Sequence, residues 1–252
     1  MRSAYLQLLG KELQQAVSTA LVFILLIVAW FAFLTTRIGV WPNLLPFGLG
    51  IATLGFVPFW ALWRTFYSFR QEWTGDHMYL LLSLPVPGWY ATSTKLIVAM
   101  IELFIYSGII LGGSLLLFTA DGLGGFPVEL LREQALFSTS LKAALVQTLG
   151  LVILMIVIQF SYLFSRLVSR RRGLMMILVG LVSSWFVFRV GGWIAPLLDW
   201  IPPVKLHGIQ IDAGVVYMHT AYLGVAPIIG SFAAALLLFI IGSNVLERDI
   251  EL

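Results

Sequence analysis

The stretch "VSTALVFILLIVAWFAFLTT", from Val17 to Thr36, decides the fold. It carries no charge over 20 residues, and about 20 apolar residues are what a helix needs to cross the hydrocarbon core of a bilayer. The run is too long for the apolar core of a secretory signal. No small-residue cleavage site follows it; Arg37 does. It reads as a retained membrane span.

Five more stretches of this kind follow: Leu44 to Phe66, which contains Pro46 and Pro58, Ser93 to Thr119, Leu141 to Phe164, Leu174 to Ile194, interrupted by Arg189, and Tyr222 to Leu246. The whole chain agrees with them. Of its 252 residues, 60% are hydrophobic and 11% charged, too few polar groups to cover a soluble core of this size, so lipid is the solvent for much of the surface. Backbone groups in lipid must be paired within the segment. Long unbroken apolar runs therefore mean helices and not the short alternating strands of a barrel. The expectation is an all-α membrane protein with six spans, forming a single membrane domain over residues 1–252.

Six spans put both termini on one side, and the basic residues choose it. With the termini in the cytoplasm, the inner segments hold Arg2, Lys11, Arg64, Arg70, Lys95, Arg166, Arg170, Arg171, Arg172 and Arg248. The outer ones hold Arg37, Arg132, Lys142, Arg189 and Lys205. That two-to-one excess, with "SRLVSRRRG" after the fourth span, predicts cytoplasmic termini. A net charge of only +3 spent on orientation leaves no basic patch for nucleic acid. The absence of cysteine removes disulfides, thiolate metal sites and a cysteine nucleophile.

Three segments lie outside the spans. Residues 3–16, "SAYLQLLGKELQQA", put Tyr5, Leu8, Leu9, Leu13 and Ala16 at helical spacing, with Lys11 and Glu12 elsewhere. This is either an amphipathic helix lying in the interface or an extension of the first span. Residues 120–140 read as an outer connection with a short helix beginning near Pro127. Residues 191–219 are too apolar for a simple loop, yet Pro202, Pro203, Lys205 and Asp212 forbid a span. Short re-entrant helices dipping into the outer leaflet are expected there, with Trp193, Trp200 and Tyr217 at headgroup level.

The segment between the second and third spans is "FRQEWTGDHMYLLLSLPVPGWYATSTK", residues 69–95. Arg70, Glu72 and Asp76 read as solvated. Gly75 bends the helix leaving the span, "MYLLLSL" forms a short apolar helix, and Pro85 and Pro87 end it. Such a helix either docks into a groove on a partner or covers the ends of neighbouring spans.

The pattern of this segment resembles the cytoplasmic loop of ABC-2 type transporter permeases. In that family a Glu, a Gly a few residues on, a leucine-rich turn, a Leu-Pro and a Lys opening the third span recur. Here these are Glu72, Gly75, Leu80 to Leu82, Leu84-Pro85 and Lys95. "GKELQ", Gly10 to Gln14, resembles the Lys-Glu-Leu of the family's N-terminal interfacial helix. Asp76 and His77 depart from the small residue more usual after the glycine. The resemblance implies a permease subunit without its own ATPase, paired with a second permease copy and with two ATP-binding subunits that hold ATP and Mg. It implies a coupling helix over residues 69–92, with Glu72, Gly75, Tyr79, Leu81, Leu82, Leu84 and Pro85 meeting the ATPase. It also implies an interfacial helix carrying Lys11 and Glu12, location in the plasma membrane, and export of a hydrophobic or amphipathic substrate such as a lipid, peptide antibiotic, polysaccharide or drug.

The residues themselves exclude a phosphate loop in this chain. Of the four lysines only Lys11 directly follows a glycine, and Glu12 succeeds it where Ser or Thr is required. Glu102, about ten residues into the third span, is a costly group at that depth. It reads either as lining a path or pairing with a cation, or as a hydrogen-bonded packing contact. Arg189 sits where its long side chain can reach the interface. His77, His207 and His219 show no metal-ligand spacing. Ser161, Ser183 and Ser184 lie in spans without a G-x-S-x-G setting, which disfavours a membrane enzyme. The alternative to the permease is a stand-alone secondary transporter or channel, which would call for paired charges within the membrane or repeated halves.

Overall fold

The computed structural model describes residues 2–42, 45–74, 87–120, 134–167, 171–212 and 215–248. Its elements are α1 (Arg2–Thr35), α2 (Leu45–Ala52), α3 (Phe56–Thr74), α4 (Gly88–Ala120), α5 (Gln134–Arg166), α6 (Arg172–Ile194), β1 (Val204–Asp212), β2 (Val215–Leu223) and α7 (Ala226–Arg248). Six helices, counting α2 and α3 as one, are long and apolar enough to cross a membrane. Apolar side chains lie on the outside of every one of them: Leu25 on α1, Phe59 on α3, Leu116 on α4, Leu145 on α5, Leu181 on α6 and Leu237 on α7 are all exposed. Charged and hydroxyl side chains, among them Arg64, Lys95 and Glu102, are buried. That inversion is what a lipid solvent favours. The chain is a multi-pass membrane protein.

Two compact units make up the chain. The first takes residues 1–124 and 243–252, the second residues 125–242. In the first, α4 packs against α1, α2 and α3. The second span is interrupted by one 3-10 turn, Thr53–Gly55, just ahead of Pro58. Proline has no N–H to give, and its ring crowds the carbonyl four residues back, so the break falls there. In the second unit α5 packs against α6, and β1 runs beside α5.

Two expectations are corrected. The N-terminal segment is not a separate interfacial helix. α1 runs unbroken for 34 residues, about 51 Å at 1.5 Å per residue. No Pro or Gly stands between Lys11 and Arg37 to stop it. Its buried face is Leu8, Glu12 and Ala16, spaced by four, so Glu12 lies at the centre of the packed side and not on the polar one.

The outer segment is not re-entrant helix, and the protein is not all-α. After α6 and a 3-10 turn over Ala195–Leu198, β1 and β2 pair antiparallel, from Val204 opposite Leu223 to Asp212 opposite Val215. The sequence of β1, "VKLHGIQID", alternates apolar and polar residues with one slip at Gly208. β-branched residues and tyrosine fill β2, "VVYMHTAYL", and both features favour strands. Pro202 and Pro203 shut off helix before them. Trp193 and Trp200 are exposed ahead of the hairpin.

Gly191 lies within α6, which continues to Ile194. It allows close approach to α7: a Cβ there would stand 2.8 Å from the Pro227 carbonyl oxygen. Arg189 is exposed, with its guanidinium carbon 5.5 Å from the Trp193 ring centre.

Candidate functional site

α1, α3 and α4 bring five ionisable side chains into the interior of the first unit. Lys95, in the second turn of α4, is 3% exposed. Its Nζ lies 2.9 Å from Glu12 Oε1 of α1 and 2.8 Å from Glu72 Oε1 of α3. The Phe69 ring centre is 5.5 Å from the same nitrogen. Taking a charge out of water costs several kcal/mol unless it is paired and hydrogen-bonded. Lys95 is therefore held where two carboxylates converge.

Two helical turns deeper a second pair repeats the pattern. Arg64 lies eight residues before Glu72 on α3, and Glu102 seven after Lys95 on α4. These spacings return each side chain to the same helix face. Arg64 Nε donates to Glu102 Oε1 at 3.1 Å, and Trp60 Nε1 donates to Glu102 Oε2 at 3.2 Å. The two rungs, Glu72 with Lys95 and Arg64 with Glu102, are the register of an antiparallel helix pair. Below them Phe23, Trp60 and Tyr106 close the interior with aromatic rings, Phe23 stacked on Trp60 at 4.1 Å between centres.

The beginning of α4 is fastened from two further directions. The Gly88 N–H donates to Glu247 Oε1 at 2.7 Å, and the hydroxyls of Thr92 and Ser243 lie 3.1 Å apart, so the end of α7 caps α4. Gly88 is required there, since a Cβ would stand 2.6 Å from the Ser243 carbonyl oxygen. Near the N-terminus of α1, Tyr5 packs edge-on to Tyr90 at 5.1 Å and hydrogen-bonds Ser93 Oγ at 3.4 Å.

Of the residues singled out in the sequence, the structure brings together Glu12, Glu72 and Glu102 with the cations Lys95 and Arg64. Glu72 is not solvated as expected: it sits on the inward side of α3 facing Lys95, while Arg70 is exposed. Glu102 finds its cation within the chain. Lys11 is exposed beside the cluster. Gly75, Tyr79, Leu81, Leu82, Leu84 and Pro85 lie outside the described residues, as do Asp76 and His77. Arg64 and Trp60 were not recognised as site residues. The usable signal for Arg64 is the spacing within each helix: Arg64 precedes Glu72 by eight residues and Glu102 follows Lys95 by seven, each step pairing opposite signs, whereas Trp60 carries no such signal. Ser161 donates to the Val157 carbonyl of its own helix at 2.6 Å, a packing role.

A multi-pass helical membrane protein with a buried ionic ladder at one end of three helices is the class that fold and site define. Comparison with family models, curated proteins and solved structures gives no match to the chain.

Proposed function

We propose that the chain is the membrane-spanning permease subunit of an ATP-driven ABC transporter of the ABC-2 type. It works as a dimer with a second permease copy and two separate ATP-binding subunits, in the plasma membrane with both termini cytoplasmic. A hydrophobic or amphipathic compound is exported.

One observation carries this reading. The residues behind the family resemblance, Glu72, Lys95 and the Lys11-Glu12 pair, are far apart in sequence, yet Glu12, Glu72 and Lys95 share one buried ion cluster with Lys11 beside it. The cluster ties the end of α3, the beginning of α4 and the N-terminal half of α1 together, and residues 75–86 are the segment that joins α3 to α4 in sequence. A docking element between those ends would pass its displacement to three helices as a rigid body, because the ties are short and their side chains buried. Closure of the ATPase pair on ATP would supply that displacement.

The test replaces Leu81 and Leu84 together by Glu and measures ATP hydrolysis by the assembled complex. Loss of permease-stimulated hydrolysis, with normal membrane insertion, is expected; undiminished stimulation refutes the docking role.

The Arg64–Glu102 pair favours a second reading, a stand-alone secondary transporter, for which paired charges within a span are the expected equipment. Transport by the purified chain in liposomes, without any ATPase, would establish it.

A further inference from the structure

We propose that Glu12, Glu72 and Lys95 form a proton-binding site, in which one exchangeable proton is held between the two carboxylates and reaches them through the cavity both line.

The stoichiometry of the cluster leads to this. One ammonium serves two carboxylates, and the side chains of Lys95, Glu12 and Glu72 are 1%, 6% and 10% exposed. The two Oε1 atoms lie at most 5.7 Å apart, the sum of their contacts to Lys95 Nζ. Two like charges at that separation away from bulk water cannot both be compensated by one cation, and one of them takes a proton.

Among the described residues no other buried cation supplies the missing charge. From α3, Arg64 is committed to Glu102 two turns deeper, and Arg70 is exposed. From α1, Lys11 stands at the exposed rim. From α4, the next ionisable group inward is Glu102, an anion already paired. The remaining polar lining, Gln15, Ser68 and Gln71, is neutral.

The route is also present. A cavity of about 40 Å³, lined by Lys11, Glu12, Gln15, Arg64, Ser68, Gln71 and Glu72, adjoins the triad. Water needs roughly 10–15 Å³ of such space, so the cavity admits it. With the proton bound, the triad is neutral and fastens α1 to α3 and α4. Without it, two carboxylates repel across one lysine and the fastening weakens. The site binds its proton whether or not the chain is a permease.

Infrared spectroscopy of the full-length protein in lipid bilayers tests the proposal through the carbonyl stretch of protonated carboxylic acids. At neutral pH the wild type is expected to show one such band that shifts on exchange into heavy water and vanishes at alkaline pH. Glu12→Gln and Glu72→Gln should each abolish it, since either leaves a one-to-one pair with Lys95. Glu102→Gln should keep it. A wild type with no band at neutral pH overturns the proposal, whatever the folding of the variants. So does a band that resists exchange, or one that persists in both Glu12→Gln and Glu72→Gln.

Discussion

Lys95 Nζ lies 2.9 Å from Glu12 Oε1, although 83 residues separate the two in sequence. The contact joins the N-terminal half of α1 to the beginning of α4, and Glu72 brings the end of α3 to the same nitrogen. A single lysine thus links three helices. Replacing it by Met leaves two buried carboxylates with no cation, and breaking a buried pair from one side costs about 3–5 kcal/mol. Lys95→Met should melt well below the wild type in detergent, with Lys11→Met, on the exposed rim, close to wild type. Equal melting of the two variants would contradict this account of the cluster.

Arg64 and Glu102 should behave as a unit. Either Arg64→Met or Glu102→Leu alone strands a buried charge, whereas the double variant strands none. Denaturant unfolding of the four proteins is expected to give a coupling of roughly 0.5–3 kcal/mol, with the double variant more stable than the sum of the singles implies. Additive losses would mean that the pair does not form in the membrane.

Packing between α6 and α7 in the second unit should depend on Gly191 and not on its neighbour. A Cβ at Gly191 would meet the Pro227 carbonyl oxygen at 2.8 Å and the Ser231 nitrogen at 3.0 Å, and would also run into Ser231 Oγ. At Gly192 it would meet nothing within 4 Å. Gly191→Val should therefore destabilise by about 1–3 kcal/mol. Gly192→Ala should be neutral or gain roughly 0.5–1 kcal/mol from helix propensity. Thermal melts of the two variants decide the matter.

Orientation is open to direct measurement because the chain has no cysteine. A single cysteine at Ser169 should react with a membrane-impermeant thiol reagent only from the cytoplasmic side, and one at Asp121 only from outside. The reverse labelling would invert the assignment made from the basic residues.

The spans were legible because their signal is local: an apolar run long enough for the bilayer needs no knowledge of the rest of the chain. The hairpin was legible too, in the alternation of "VKLHGIQID", but Trp193, Trp200 and the prolines drew the reading toward membrane-dipping helices. The continuity of α1 follows from the lack of any Pro or Gly between Lys11 and Arg37. Amphipathic spacing over residues 3–16 hid that continuity, because it placed Glu12 on the wet side. The ionic ladder was the least legible part. Glu12, Glu72, Lys95, Arg64 and Glu102 each look like ordinary cytoplasmic or intramembrane charges until the helices are folded back on one another. Pairing across 83 residues leaves no trace in local periodicity.

The most direct measurement of the central claim is purification of the native complex in mild detergent, followed by mass identification of what accompanies the chain. The account predicts an ATP-binding subunit that co-purifies with the wild type and is lost when Leu81 and Leu84 are both replaced by Glu. A homo-oligomer free of any ATPase, recovered under conditions that preserve such complexes, would contradict it and move the weight to a transporter working alone through the Arg64–Glu102 pair.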